Sequence, residues 1–116
     1  MMKFTLYWFV YLLELARPLG NHRHCARYYL GSTNNLNRRL TQHRSGDRLI
    51  GSAFTAAAVE RGIQFQVVKF WYCNSFVEAR FLERRLKRRK NHAKLLDLTQ
   101  AAINTLLTEL RVAHGR

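Results

Sequence analysis

Residues 29–43 constrain the fold of this chain more than any other stretch. An aromatic segment runs into one glycine, Gly31, then into four small polar residues at 32–35, and finally into a basic stretch. Glycine lets a backbone turn where a side chain would clash, and Ser, Thr and Asn side chains cap free helical amides. We predict a strand that ends near Gly31, a turn, and a basic helix that begins within the polar cluster and ends near His43.

Arg39 and His43 lie four residues apart on this predicted helix. Side chains at that spacing project from the same helix face, one turn from each other. A guanidinium is always charged, whereas an imidazole ordinarily titrates near neutral pH. The pattern favours a fixed cation beside a titratable group, and the simpler alternative is a solvated helix face.

The charge balance predicts a polyanion as the binding partner. The chain of 116 residues carries 20 Lys and Arg against 7 Asp and Glu, for a formal charge of +13. Such a domain binds nucleic acid through phosphate neutralisation and counterion release. A basic ribosome-associated or protein-interaction domain has the same imbalance and remains an alternative. The length suits one domain, and a hydrophobic content of 47% excludes a disordered chain.

The two cysteines, Cys25 and Cys73, are too few for a disulfide framework and suit a reducing cytoplasm, where we expect the protein to act. His22, His24 and Cys25 could supply three zinc ligands, with Cys73 as the fourth. Their spacing does not match a standard zinc finger, so a basic surface loop with separate thiols is the preferred interpretation.

Three apolar segments are predicted to form strands. Residues 4–15 are aromatic and β-branched, too short to span a membrane, and interrupted by Glu14, so we expect a buried strand and no membrane partner. Residues 26–30 return antiparallel to it, and residues 65–72 form the third strand. Residues 16–27 form a loop, which either contacts substrate or is only solvated.

Three further helices follow the basic one. Residues 52–61 form a short helix that Gly62 ends, and Ser75 with Glu78 has the capping-box spacing of a helix start. Residues 92–112 place leucines at helical spacing, which predicts a last helix packed on the domain or on a second copy. The fold class is therefore α+β, with a small three-stranded, mostly antiparallel sheet flanked by helices.

The strand end and the Arg-x-x-x-His helix resemble the core motif of the GIY-YIG nucleases. In that family a first strand ends near Gly-Ile-Tyr and a second near Tyr-Ile-Gly. The matching stretches here are Phe9-Val10-Tyr11, which lacks the glycine, and Tyr29-Leu30-Gly31. Three further stretches resemble some bacterial members in the same order: Pro18-Leu19-Gly20, Gly62-Ile63 and residues 86–91.

The resemblance covers about residues 5–96 and implies a GIY-YIG-like nuclease domain at 1–96. A C-terminal helical extension at 97–116 lies outside it. Family members act in repair, restriction, mobile elements and branched-DNA processing, so DNA is the implied partner. Because no targeting domain is apparent, a homodimer or a targeting partner that binds the C-terminal helix is an expectation.

The resemblance implies metal-assisted hydrolysis of a phosphodiester bond. Glu83 would hold one divalent cation, Mg²⁺ or Mn²⁺, and Arg39 would stabilise charge on the phosphate. Tyr11 or Tyr29 would position or deprotonate the attacking water, and His43 is an alternative proton acceptor. The site would lie at the sheet edge between the first and third helices.

The resemblance also implies a basic surface along residues 80–94 that follows the phosphate backbone. The expected nucleic-acid-binding residues are Arg38, Lys87, Arg88, Lys90, Asn91 and Lys94. Two of these assignments have structural alternatives, because Lys87 can pair with Glu83 at i,i+4 and Asn91 can cap the last helix. The alternative for the whole chain is a catalytically silent nucleic-acid-binding domain on the same fold.

Overall fold

The computed structural model of the chain describes residues 7–20 and 26–114. Its centre is a three-stranded antiparallel sheet in the order β2-β1-β3. The strands are β1 (Trp8–Leu15), β2 (Tyr28–Thr33) and β3 (Phe65–Cys73). Together with the flanking helices, this sheet confirms the predicted α+β class.

The helices begin where the sequence predicts capping residues. They are α1 (Leu36–Arg44), α2 (Ala53–Glu60), α3 (Phe76–Lys87), a 3-10 helix (His92–Asp97) and α4 (Gln100–His114). Asn35, Ser52 and Ser75 are the N-caps of α1, α2 and α3, and each side chain accepts a bond from an amide of the first turn. Gly46 and Gly62 follow α1 and α2 with φ angles of 75° and 68°, so the predicted stop at Gly62 is confirmed and Gly46 ends α1 in the same way.

The two faces of the sheet carry two separate cores, because successive strand residues point to opposite faces. Val10 and Leu12 of β1 pack in one core with residues of α3 and α4. Tyr11 and Leu13 point the other way and pack with residues of α1 and α2. Tyr11 therefore faces the helix that carries Arg39 and His43.

The second strand begins two residues later and ends three residues later than the predicted 26–30, and Gly31 lies inside it. β2 runs to Thr33, and Gly31 pairs with Tyr11 of β1 instead of forming a turn. The chain turns only after Thr33, whose Oγ1 accepts a bond from the Asn35 amide at 3.1 Å. The predicted end near residues 30–31 is wrong because cross-strand pairing holds the backbone extended. The first strand begins at Trp8, and residues 4–6 of its predicted range lie outside the described residues.

The last predicted helix is divided into two. The 3-10 helix ends at Asp97, Leu98 is extended, and the Thr99 hydroxyl accepts a bond from the Ala102 amide at 3.1 Å as α4 starts. Trp71 Nε1 donates to the Leu98 carbonyl at 2.8 Å, which holds the break against the sheet. Within the described ranges, no helix has the length and apolar character needed to cross a membrane.

Candidate active site

Tyr11 lies at the centre of a hydrogen-bonded cluster. It comes from the central strand and is 1% exposed. Its hydroxyl lies 2.7 Å from His43 Nε2, and it accepts a bond from Arg39 Nε at 3.3 Å. Three of the residues predicted from the sequence are thus brought into direct contact by packing β1 against α1.

Gly31 provides the space that Tyr11 occupies. A Cβ atom at this position would lie 2.4 Å from the Tyr11 hydroxyl oxygen and 2.6 Å from its Cζ. The phenol ring therefore lies directly against the glycine of the neighbouring strand. The expectation that Gly31 forms a turn is wrong, because this glycine lies within β2 and leaves room for the Tyr11 side chain.

His43 is buried and bonded at both ring nitrogens. It is 1% exposed, and its Nδ1 lies 2.8 Å from Thr55 Oγ1 of α2. Thr55 Oγ1 lies in turn 2.8 Å from Ser52 Oγ. Burial, and then the charge of Arg39, lower the pKa of His43 to about 4. The prediction that His43 titrates near neutral pH is therefore wrong, and its imidazole is neutral at pH 7.

Thr55 is a residue of this cluster that the sequence analysis missed. It is fully buried and its hydroxyl contacts both His43 and the N-cap Ser52. A neutral imidazole has one donor and one acceptor nitrogen. If Thr55 accepts from Nδ1–H, Nε2 is left as an acceptor for the Tyr11 hydroxyl.

The protonation state of Tyr11 follows from its burial. Burial raises the pKa of Tyr11 above its ordinary value, and the charges of Tyr29 and Glu83 add to this effect, while Arg39 opposes it. Tyr11 is therefore a neutral phenol at physiological pH. It can accept and donate hydrogen bonds, but it is not a free base by itself.

Tyr29 forms the more open side of the cluster. It is partly buried, and its ring centroid lies 5.2 Å from that of His43 in an edge contact. The ring stacks on Phe54 of α2 at 5.8 Å, and its centroid is 6.4 Å from that of Tyr11. Tyr29 thus lies beside both Tyr11 and His43.

The Arg39 guanidinium is held by the loop between α1 and α2. Nη1 donates to the Ile50 carbonyl at 2.7 Å and to Gln42 Oε1 at 3.0 Å, and Nη2 donates to the Gly51 carbonyl at 3.0 Å. With the bond from Nε to Tyr11, four of its five N–H groups have partners among the described residues. Burial lowers the pKa of Arg39, but the Tyr11 and Tyr29 hydroxyls outweigh it and the net shift is upward.

Glu83 lies on α3 and is 7% exposed. Its Oε1 accepts a bond from Ser32 Oγ at 2.7 Å, and its Oε2 accepts from Lys87 Nζ at 2.7 Å. Ser32 pairs with Val10, so it faces α3, whereas its neighbour Gly31 faces Tyr11. Glu83 and the Tyr11 cluster therefore lie on opposite sides of the edge strand β2, and the charge of Glu83 acts on the Tyr11 pKa.

A comparison with known families decides what kind of domain this is. The family model of the GIY-YIG catalytic domain matches residues 7–96, which is most of the chain. The chain belongs to the GIY-YIG family. This is a family of nucleases, so the substrate is a nucleic acid, and the resemblance drawn from the sequence is confirmed. No curated protein and no solved structure gives a significant match.

Carboxylates are sparse in this GIY-YIG domain. Among residues 7–20 and 26–114, no three His, Cys, Asp or Glu side chains form a group that could hold a metal ion. Glu83 accepts a bond from Ser32, the neighbour of Gly31, and its charge helps to raise the pKa of Tyr11. A carboxylate offers about four acceptor positions, and two are used here, so the donor set fits one ion that keeps most of its waters.

Three of the four residues of the zinc alternative lie outside the part of the chain that the structure describes. His22, His24 and Cys25 lie outside the described residues. Cys73 is a buried thiol on β3, and burial raises its pKa to about 11.

All six of the residues predicted to bind nucleic acid are exposed. Arg38 donates to Asn34 Oδ1 at 2.8 Å, and Lys87 bonds Glu83, as its structural alternative predicts. The Asn91 side chain accepts a bond from the Ala93 amide at 3.1 Å, so it caps the 3-10 helix. Three arginines of α3 and its C-cap arginine line a groove of about 710 Å³ against Leu110 of α4, namely Arg80, Arg84, Arg85 and Arg88.

Proposed function

We propose that this GIY-YIG domain is a divalent-metal-dependent endonuclease that hydrolyses phosphodiester bonds in DNA. The observation that supports it most is the bonded cluster of Tyr11, Arg39 and His43, with the Glu83 carboxylate across β2. This cluster combines a fixed cation, a neutral base and a hydroxyl that connects them. The formal charge of +13 supplies the attraction to a polyanion.

In this proposal Arg39 stabilises the phosphate in the transition state. The Ile50 and Gly51 carbonyls fix its guanidinium, so little reorganisation is needed when charge develops. The fifth N–H group of Arg39 has the Tyr29 hydroxyl as its one competing partner among the described residues, so it can donate to a phosphate oxygen. Arg39 then acts through its fixed charge and a single bond, and not through a two-pronged contact.

Tyr11 and His43 carry the proton of the attacking water. The water gives a proton to the Tyr11 oxygen as the Tyr11 proton passes to His43 Nε2, 2.7 Å away. The water oxygen attacks phosphorus, the bond from phosphorus to the leaving oxygen breaks, and the leaving oxygen takes a proton from a second water. The charge of Arg39 is one cause of the low His43 pKa, so a phosphate anion on Arg39 raises that pKa and strengthens the base.

Glu83 is the residue that would hold Mg²⁺ or Mn²⁺. When bound, such an ion stabilises charge on the phosphate oxygens and lowers the pKa of a coordinated water. Lys87 shares the carboxylate at 2.7 Å and would remain on the other oxygen. Tyr29, at the open side of the cluster, helps to place the water.

Exposed cations of α1, α3 and the segment after α3, together with one asparagine, hold the rest of the phosphate backbone. The proposed contacts are Arg38, Lys87, Arg88, Lys90, Asn91 and Lys94, together with the arginine-lined groove between α3 and α4. Asn91 caps a helix through its side-chain oxygen, so its contribution is through the amide NH₂. The α4 surface remains the proposed place for a second copy or a targeting partner.

A silent binding domain is the second candidate, and two observations favour it. Four of the five N–H groups of Arg39 are satisfied within the described residues, and both Glu83 oxygens already accept bonds. These are the contacts of a structural arginine and a structural ion pair. In that case the scaffold binds nucleic acid through its surface charge and performs no chemistry.

Nicking of supercoiled plasmid in Mg²⁺ or Mn²⁺ separates the two candidates. We expect the wild type to nick, and Glu83→Gln and Tyr11→Phe to bind DNA without nicking. Glu109→Gln makes the same chemical change as the first variant at an exposed position of α4 and should nick normally. DNA binding by the wild type with no nicking on any substrate would establish the silent domain.

A further inference from the structure

Three exposed aromatic side chains and the half-buried Phe9 form a surface on β3, β1 and the residue before β1 that the proposed mechanism does not use. Tyr7 lies beside Tyr72, and Phe9 lies beside both Tyr72 and Phe70, with ring centroids 5.3 to 5.8 Å apart. Tyr7, Phe70 and Tyr72 are 45%, 42% and 48% exposed. We call these four residues the aromatic patch.

The aromatic patch lies on the same sheet face as Tyr11. Phe9 is two residues before Tyr11 on β1, and the register pairs Phe9 with Tyr72 and Tyr11 with Phe70. Phe70 is therefore the cross-strand neighbour of the tyrosine that bonds Arg39 and His43. A molecule that contacts the patch lies directly beside the Tyr11 cluster.

Cations border the aromatic patch. Phe70 and Lys69 line a groove of about 430 Å³ that runs between β3 and Asn37 of α1. Arg39 is bonded to Tyr11, the cross-strand neighbour of Phe70. Because the chain carries a formal charge of +13, a second copy meets electrostatic repulsion at this surface, whereas a polyanion is attracted to it.

We propose that the aromatic patch stacks unpaired nucleobases, so that the substrate is a nucleic acid with a single-stranded or splayed segment next to the cleaved phosphate. This inference rests on the proposed function and specifies its substrate class. Exposed aromatic rings beside cations bind single strands, because every base has a π face that stacks on such a ring. In a duplex those faces are covered by neighbouring base pairs, so only unpaired nucleotides can use the patch.

Binding in EDTA tests the patch without any catalysis. The wild type is titrated into a blunt DNA duplex and into a forked duplex with the same paired length, and fluorescence anisotropy gives the two dissociation constants. We expect tighter binding to the fork. The variants Phe70→Ala and Tyr72→Ala should each reduce that preference by about fivefold to a hundredfold, the range for one stacked base.

Three control variants keep this test specific. Phe76→Ala removes a ring of similar exposure, 51%, from the groove between α3 and α4, so any loss of affinity should be equal for fork and duplex and the ratio of the two constants should stay unchanged. Phe70→Tyr and Tyr72→Phe keep an aromatic ring and should keep the preference. Thermal unfolding of each variant establishes that the fold is intact, and a preference lost by the ring-retaining variants as well would overturn the stacking proposal.

The remaining outcomes separate this inference from the proposed function. Equal affinity of the wild type for fork and duplex would overturn the inference, even if plasmid nicking succeeds. A fork preference that depends on Phe70 and Tyr72 supports the patch even if no substrate is cut. Dimerisation in sedimentation that Phe70→Ala abolishes would show that a second copy covers the patch, and would also overturn it.

Discussion

The Tyr11 hydroxyl lies 2.7 Å from Nε2 of His43, so a residue of the central strand and a residue of the first helix share one hydrogen bond in a buried place. The opposite ring nitrogen, Nδ1, contacts Thr55 at 2.8 Å. The position of the proton on the His43 ring thus depends on a residue of α2, a helix to which the proposed mechanism assigns no catalytic residue. Thr55 therefore influences the hydrogen bond between Tyr11 and His43, although it does not contact Tyr11 itself in that bond.

Thr55→Val should slow cleavage. Valine fills a similar volume but removes the hydroxyl that fixes which imidazole nitrogen carries the proton. We expect kcat to fall by about tenfold to a hundredfold, at the lower end of the contribution of general acid–base catalysis, with KM little changed. Thr55→Ser keeps the hydroxyl and should retain most activity, so equal losses in both variants would mean that only packing matters.

Gly31→Ala should displace Tyr11. The added Cβ would lie 2.4 Å from the hydroxyl oxygen, and Tyr11 is too buried to move freely. Overpacking of this kind costs about 1–3 kcal/mol of unfolding free energy, and we expect nicking to fall by at least about tenfold as the bond to His43 is lost.

Gly62→Ala is the matched control for this change. Gly62 has a φ of 68° but no atom within 4 Å of an added Cβ. The substitution therefore strains the backbone by about 1–2 kcal/mol without touching the cluster. Similar losses of stability with unequal losses of activity would support the role of Gly31, whereas full activity in Gly31→Ala would contradict it.

The stability of the fold should depend on pH through His43. Its pKa is lowered from 6.5 to about 4, so below pH 6.5 the unfolded chain binds a proton that the folded chain refuses. As the pH decreases from 6.5 to about 4, the unfolding free energy therefore decreases by about 1.4 kcal/mol per pH unit. Urea unfolding at pH 7, 6 and 5 measures this slope.

His43→Gln is the reference for that experiment. Glutamine has no titrating group, so its unfolding free energy should change less across the same pH range. The Arg111 side chain lowers the pKa of Glu78, so the stabilisation from this ion pair is lost only at more acidic pH. The loss is the same in the wild type and in the variant. Parallel slopes for the variant and the wild type would show that His43 is not the source.

Lys87→Met should strengthen binding of a divalent cation. The Lys87 ammonium occupies Glu83 Oε2 at 2.7 Å, so its removal frees an acceptor and a positive charge leaves the site. Exposed ion pairs contribute about 0.2–1 kcal/mol, which corresponds to a gain in Mn²⁺ affinity of up to about fivefold. Calorimetric titration measures it, with the exposed Lys94→Met as the control. Unchanged affinity would argue against Glu83 as the ligand.

Local signals explain why much of the fold could be predicted. The three capping residues and the two glycine stops depend only on neighbours in the sequence. In the structure the three caps lie at the starts of α1, α2 and α3, and the two glycines follow the ends of α1 and α2. The grouping of Tyr11, Arg39 and His43 was also predicted. Helical spacing placed Arg39 and His43 on one helix face, and the family resemblance added Tyr11 to the same site. The functional roles of these residues stay predictions.

The features that the sequence did not reveal depend on contacts between distant segments. The role of Gly31 depends on its register opposite Tyr11, and the shifted pKa of His43 depends on burial against Thr55. The loop carbonyls that fix Arg39 come from residues 50 and 51, whose side chains carry no signal. Register, burial and backbone contacts are tertiary properties, which periodicity along one element does not encode.

The packing of α4 has a consequence for the part of the chain that matches the family. Ile103 and Leu107 are 0% and 1% exposed in the same core as Leu82, and Arg111 bonds both oxygens of Glu78 in the first turn of α3. The family match stops at residue 96. The helix that carries Glu83 is therefore supported by residues beyond the match, so a fragment that ended at residue 96 would lose part of the core against which α3 packs.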